Sequence, residues 1–181
     1  MVEKHSDIYY ELLRAGLWDK TPIMSSSPNW AYILETALAD QTYGFVFYAA
    51  LRLEKGQTPP MKMVSKFNYH LMRVAELNKS RDRQVVALFT KLRAEGIEPV
   101  LMKGQSLAAL YPIKGLRYSC DIDIYVNKPD FGKACKVINS MADAKALKQS
   151  VWTDKHYHIK INSTLIEMHF VSGNRRIKKL A

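Results

Sequence analysis

Asp121 and Asp123 stand two apart in the run Tyr118-Ser119-Cys120-Asp121-Ile122-Asp123-Ile124-Tyr125-Val126. Ile122, Ile124 and Val126 supply the apolar alternation of a strand anchored in a core. Side chains alternate faces along a strand, so the two carboxylates project from one face with their backbones about 7 Å apart. Left at an edge, they suit a divalent cation and a phosphate that meets it there. By the same alternation Glu167 and His169 share one face of Leu165-Ile166-Glu167-Met168-His169-Phe170, with Ile166 and Met168 on the other. Three carboxylates on adjacent strands can hold two Mg²⁺ ions about 4 Å apart, one acidifying an attacking hydroxyl and the other steadying a triphosphate and its departing pyrophosphate. Magnesium suits such a site because it takes few protein oxygens and fills its octahedron with water and phosphate.

Gly104 has a matching place, after the strand-like Pro99-Val100-Leu101-Met102 and before a short helix over Gln105 to Leu110. A glycine there lets backbone N–H groups approach a phosphate, and the following helix N-terminus adds a favourable dipole. Lys103 and Arg117 would neutralise phosphate charge from either side. A Lys-Gly pair or a D-x-D triplet alone is common in solvated turns; the combination, in order and on the expected elements, carries the weight.

The elements that must position these residues fall into two stretches, 1–95 and 96–181. Through about residue 95 the pattern is helical. A first helix opens at Asp7 after a Ser6 cap and stops near Gly16, and Ser25-Ser26-Ser27-Pro28 starts a long segment from Asn29 to about Lys55. Gly56-Gln57-Thr58-Pro59-Pro60 breaks it, and one or two further helices run from Met61 to Glu95. The aromatic and Met positions here read as core. After Gly96 strands alternate with short helices: a buried strand at 99–102, a strand from Tyr118 to Val126, and a helix capped by Asn127-Lys128-Pro129-Asp130 that runs to about Met141. Strands from Trp152 to Ile161 and from Leu165 to Val171 follow, joined by a turn at Asn162-Ser163-Thr164.

The 181 residues, 48% of them hydrophobic, suffice for one ordinary domain with a helical extension. No apolar run approaches the roughly 20 residues of a membrane span, and the N-terminus lacks the pattern of a secretion signal. The expectation is a cytoplasmic protein without a membrane partner. Cys120 and Cys135 show no framework spacing and are expected to be reduced. The formal charge of +10 suits a polyanionic partner such as a nucleotide or nucleic acid. The plainer reading is a solvated basic surface, since the positive residues are scattered. Only Arg175, Arg176, Lys178 and Lys179 form a dense patch, which a frayed terminus would also explain.

Leu101-Met102-Lys103-Gly104, then Leu107-Ala108, Tyr111-Pro112, Arg117, Asp121-Ile122-Asp123 and Glu167-Met168-His169 together resemble the uncharacterised nucleotidyltransferase family of the DNA polymerase β-like superfamily. The resemblance covers roughly residues 30 to 181 and is strongest over 100 to 126. It implies an α+β fold, a mixed sheet with flanking helices and an N-terminal helical segment. The implied activity is transfer of an NMP group from an NTP to a hydroxyl acceptor, with Mg²⁺ (or Mn²⁺) as cofactor. The superfamily's acceptors include protein side chains, RNA ends and small molecules. Carried over by position, Gly104 is the turn glycine, Asp121 and Asp123 the first two metal ligands and catalytic acids, and Glu167 the third. Lys103, Arg117, Gln105, Ser106 and His169 fall where nucleotide contacts are implied.

Two departures from the family's pattern stand out. Gln105 follows Gly104 and Ser106 comes one place later, which displaces the hydroxyl that usually supports the phosphate. The chain also ends soon after Glu167, where relatives continue into a further helical region, so the expectation is a short member of the family, a core truncated at its C-terminus, or a site completed by a partner chain or a homo-oligomer. The first rival reading is a catalytically degenerate domain of the same fold, serving as a nucleotide-binding or protein-interaction module. Mutual repulsion among the clustered carboxylates argues against it unless a cation relieves them. A zinc site of Asp154, His156, His158 and Glu167 or His169 is a second; its spacing matches no established structural motif. A general nucleic-acid-binding module rests on charge alone, without the interleaved aromatic and basic pattern of RNA-binding folds.

Overall fold

The computed structural model describes residues 2–24, 26–153 and 155–170, without the side chains of residues 2–5 and 114. Ser25, Asp154, Val171 and the basic group Arg175, Arg176, Lys178 and Lys179 lie outside the described residues. The fold is α+β, with several helices and a five-stranded mixed sheet. The chain divides into two compact units: one takes the residues up to Lys79 together with Ala108–Tyr118, the other Ser80–Leu107 and the residues from Ser119 on.

The first unit is built on α1 (Val2–Leu17), α2 (Trp30–Ala39), α3 (Tyr43–Ala50) and the first half of α4 (Met61–Ala94). Ile8, Leu12 and Ala15 recur at helical spacing along α1 and are buried against Ile33, Ala37, Val46, Phe47 and Phe67. The Phe47 and Phe67 rings stack at 4.7 Å. Gly16 admits α3, since a β-carbon there would stand 2.1 Å from the Phe45 carbonyl oxygen. Ser6 lies inside α1 rather than at its start.

The expected single segment from Asn29 to about Lys55 is two helices. Asn29 caps α2 by accepting from the Tyr32 N–H, and the chain turns at Asp40-Gln41-Thr42, with Gln41 in the left-handed region at φ 57°. Tyr9 holds that turn from α1: its hydroxyl lies 2.8 Å from both Asp40 Oδ2 and Thr42 Oγ1. Burial and the Asp40 bond keep the Tyr9 phenol protonated, with its pKa pushed up to about 12.

The second unit contains the sheet, in the order β1-β2-β5-β4-β3. Its strands are β1 (Val100–Met102), β2 (Asp121–Tyr125), β3 (Val151–Trp152), β4 (His156–Ile161) and β5 (Thr164–His169). β2 and β5 run parallel and the other neighbours antiparallel. One face is apolar: Ile122, Ile124, Tyr157, Ile159, Ile166 and Met168 are buried there with Leu88 and Leu92 of α4 and with Phe131, Ala134 and Ile138 of α6 (Phe131–Asn139). α4 ends where Gly96 adopts φ 73° and the Ile97 N–H bonds back to the Leu92 carbonyl, which tucks Ile97 into this core.

Several expected elements change extent. β1 is half exposed rather than buried, with Val100 open to solvent. The helix after it, α5, spans Gly104–Ala108 and stops short of Leu110. β2 starts at Asp121 rather than Tyr118, because Ser119 Oγ turns back to bond the Asp121 carbonyl. α6 ends at Asn139, and a short helix that the sequence pattern did not suggest, α7 (Ala144–Lys148), follows it. The expected strand from Trp152 to Ile161 is a hairpin. Thr153 Oγ1 accepts from the Lys155 and His156 N–H groups and folds the chain between β3 and β4.

Candidate active site

The other face of the sheet carries the chemistry. Within β2 the buried isoleucines fix the pleat, so Asp121, Asp123 and Tyr125 project to the opposite side. In β5 the alternation buries Thr164, Ile166 and Met168 and turns Leu165, Glu167 and His169 outward. The two strands are parallel neighbours in the register Asp123↔Glu167 and Tyr125↔His169, which sets one acid beside the other. One ligand atom each from Asp123, Glu167 and His169 lie within 4.8 Å of one another.

Asp123 is the centre of this group. The sequence suggested acids left at an edge, but β2 is an interior strand and the Asp123 side chain is only 1% exposed. Its Oδ1 lies 3.1 Å from His169 Nε2 and accepts a hydrogen bond from Lys103 Nζ at 3.0 Å. His169 Nε2 is also 3.6 Å from Glu167 Oε2. The hydrogen bond to Asp123 raises the Lys103 pKa, and the charges of Asp123, Glu167 and Asp121 add to it against the opposing effect of burial. Asp121 thus bears on the same ammonium electrostatically, although it is not one of the three residues grouped around Asp123.

The turn that brings Lys103 here is unusual. Lys103 and Gly104 both have positive φ, 42° and 33°, and Lys103 has no glycine's freedom to adopt it. A β-carbon on Gly104 would meet Ser119 Oγ at 3.0 Å and the Asp121 carbonyl at 3.4 Å, so this turn lies against the start of β2. Ser106 Oγ donates to the Lys103 carbonyl at 2.6 Å and closes the turn from within. The Gln105 side-chain amide is buried, and both of its polar atoms lack a hydrogen-bond partner among the described residues. Arg117 belongs to the other unit, where its carbonyl accepts from Asn78 Nδ2 and its guanidinium donates to the Tyr118 carbonyl.

The lysine–aspartate contact was not anticipated from sequence. It follows from the pairing of Met102 with Asp123 across β1 and β2, which sets the residue after Met102 beside that acid. The face continues into β4, where His158 pairs with Glu167 and His156 with His169. The His156 ring stands 5.1 Å from that of His158 and 5.3 Å from that of His169. Neither His156 nor His158 belongs to the group close enough to share a metal ion, and Asp154 lies outside the described residues.

A divalent cation fits these residues. Asp123 and Glu167 offer hard carboxylate oxygens and the imidazole of His169 is a nitrogen donor, with one ligand atom of each close enough to share an ion. Among the described residues no helix is long and apolar enough to cross a membrane. Residues 26–179 match the model of a family described as "Uncharacterised nucleotidyltransferase". No curated protein and no solved structure matches the chain.

Proposed function

The chain belongs to the uncharacterised nucleotidyltransferase family, and on that premise we propose that it moves an NMP group from an NTP to a hydroxyl acceptor, with Mg²⁺ or Mn²⁺ held by Asp121, Asp123 and Glu167. The observation that carries this reading is the convergence of Asp123, Glu167 and His169 on one face of two parallel strands. In the reaction the acceptor oxygen bonds to the α-phosphorus and the bond to pyrophosphate breaks. The bound metal would supply charge neutralisation on the triphosphate and a more acidic acceptor hydroxyl.

The protein's own groups have separable tasks. Lys103 and His169 both contact Oδ1 of Asp123, so that oxygen is held in place without help from substrate. Glu167 is half-buried beside it on the same face of the sheet. Gly104, without a side chain, lets the turn close against Ser119 Oγ and the Asp121 carbonyl, which brings it to the start of the strand that carries the acids. Lys103, in the same turn, would supply positive charge to the triphosphate.

The acceptor is left at the level of a hydroxyl, since the fold does not select between protein, RNA and small molecule. The test is to incubate the protein with labelled NTPs, Mg²⁺ or Mn²⁺ and a cell extract, and to follow pyrophosphate and labelled product together. Matched release of pyrophosphate and appearance of product is the expected result. Pyrophosphate without product means hydrolysis, and nucleotide binding without release assigns the chain to the non-catalytic reading.

A further inference from the structure

Lys103 engages Asp123 with no metal or nucleotide present, an engagement that the proposed reaction does not by itself require. We propose that its ammonium is a tethered stand-in for the metal ion: it neutralises Asp123 when no cation is bound, then yields that oxygen and moves onto the triphosphate, so that metal and nucleotide bind as a pair. The inference rests on the nucleotidyltransferase reading and adds to it the order in which charges are exchanged.

The geometry supports this in three ways. Nζ lies 3.0 Å from Asp123 Oδ1, on one of the oxygens a divalent ion would use, and two cations on one carboxylate oxygen repel each other strongly. The lysine side chain is 62% exposed while the aspartate is 1% exposed, so the ammonium reaches inward from a solvated stem and can withdraw without dragging apolar surface into water. Lys103 also sits in the turn that Gly104 packs against the start of β2, beside the acids that would hold the metal–triphosphate, so a rotation of its own side chain is enough to carry the charge from acid to phosphate. The fields of Glu167 and Asp121 strengthen the resting position.

The consequence is a pair of effects with opposite signs. Removing the ammonium relieves competition for Asp123 and removes a phosphate contact. With Mn²⁺ as the probe, followed by the loss of its free-ion resonance signal, Lys103→Met should bind the metal about tenfold more tightly than the parent in the absence of phosphate. With inorganic triphosphate as the second probe, the same variant should bind the Mn²⁺–triphosphate complex about tenfold more weakly. Lys103→Arg keeps the charge and should leave Mn²⁺ affinity near the parent's, which separates competition from a disturbed turn; circular dichroism establishes that each variant is folded. If Mn²⁺ affinity in Lys103→Met is unchanged or weaker while Asp123→Asn abolishes it, the stand-in role is wrong and the metal site survives. If the parent and both lysine variants bind no Mn²⁺, with or without triphosphate, the nucleotidyltransferase reading falls with it.

Discussion

The two faces of the sheet obey one backbone rule and reach opposite chemistries. On one, Ile122, Ile124, Tyr157 and Met168 are fully buried under α4 and α6. On the other, one residue along each strand, stand Asp123, Glu167, His169, His156 and His158. Burial of apolar area contributes about 25 cal/mol per Å² to stability, so the first face supplies the rigidity that holds the second in register. The second face opposes folding, because Asp123 is removed from water beside two other acids and is compensated by Lys103 and His169. A sheet divided in this way should let stability and activity be damaged separately.

The largest effect is expected from Asp123→Asn, which keeps the shape of the side chain and removes its charge. NMP transfer should fall roughly a thousandfold, as when a preorganised electrostatic contact is lost from a site. Thermal unfolding should change little, because removal of a buried charge offsets the weakened bonds to Lys103 and His169. A variant that transfers as fast as the parent takes Asp123 out of the mechanism. The converse change is Ile166→Ala, one residue before Glu167 on the same strand but 2% exposed on the apolar face. It should cost about 3 kcal/mol and lower the melting temperature by roughly 10 °C, while Mn²⁺ affinity of the folded protein stays near the parent's.

That division was legible in sequence because strand alternation is local. Asp121-Ile122-Asp123-Ile124 and Ile166-Glu167-Met168-His169 state their faces within a few residues, and the same two runs carry the family resemblance. What sequence did not disclose is set by partners distant along the chain. The bend that splits α2 from α3 has no glycine; a left-handed Gln41 is held there by Tyr9, more than thirty residues earlier. The Thr153 turn depends on one hydroxyl bonding two backbone N–H groups, a choice that a β-branched residue in an alternating run does not announce. The Lys103–Asp123 pair needs the β1–β2 register, and a three-residue strand is too short to specify register by pattern.

A smaller change sharpens the contrast at the buried face. Tyr157 lies wholly inside, and its hydroxyl donates to Asn139 Oδ1 at 2.6 Å, joining β4 to the end of α6. Tyr157→Phe preserves the ring and leaves the Asn139 acceptor without that donor, at a cost of about 1.5 kcal/mol in denaturant unfolding. An equal loss in Asn139→Ala and no further loss in the double variant would assign the whole effect to this bond. Additive losses would mean that each side chain acts through its own packing.

The smallest effect comes from the helix that covers β4. α7 is five residues long, too short to persist without help, and Asp143 Oδ1 accepts from the Ala146 N–H at 2.7 Å to cap it. Ala146 is buried in the core on the apolar side of the sheet, so the cap bears on that face alone. Asp143→Ala should therefore cost about 1 kcal/mol of stability, read as a shift in the unfolding midpoint. It should also speed amide exchange in residues 144–148 before any change reaches β2 or β5. Metal affinity is the discriminating readout, since a site held by strand register is indifferent to a loosened cover until the strands themselves move. A fall in Mn²⁺ binding that matches the loss of stability would show that the apolar face does more than support the site, and that the acids depend on how tightly β4 is pressed against β5.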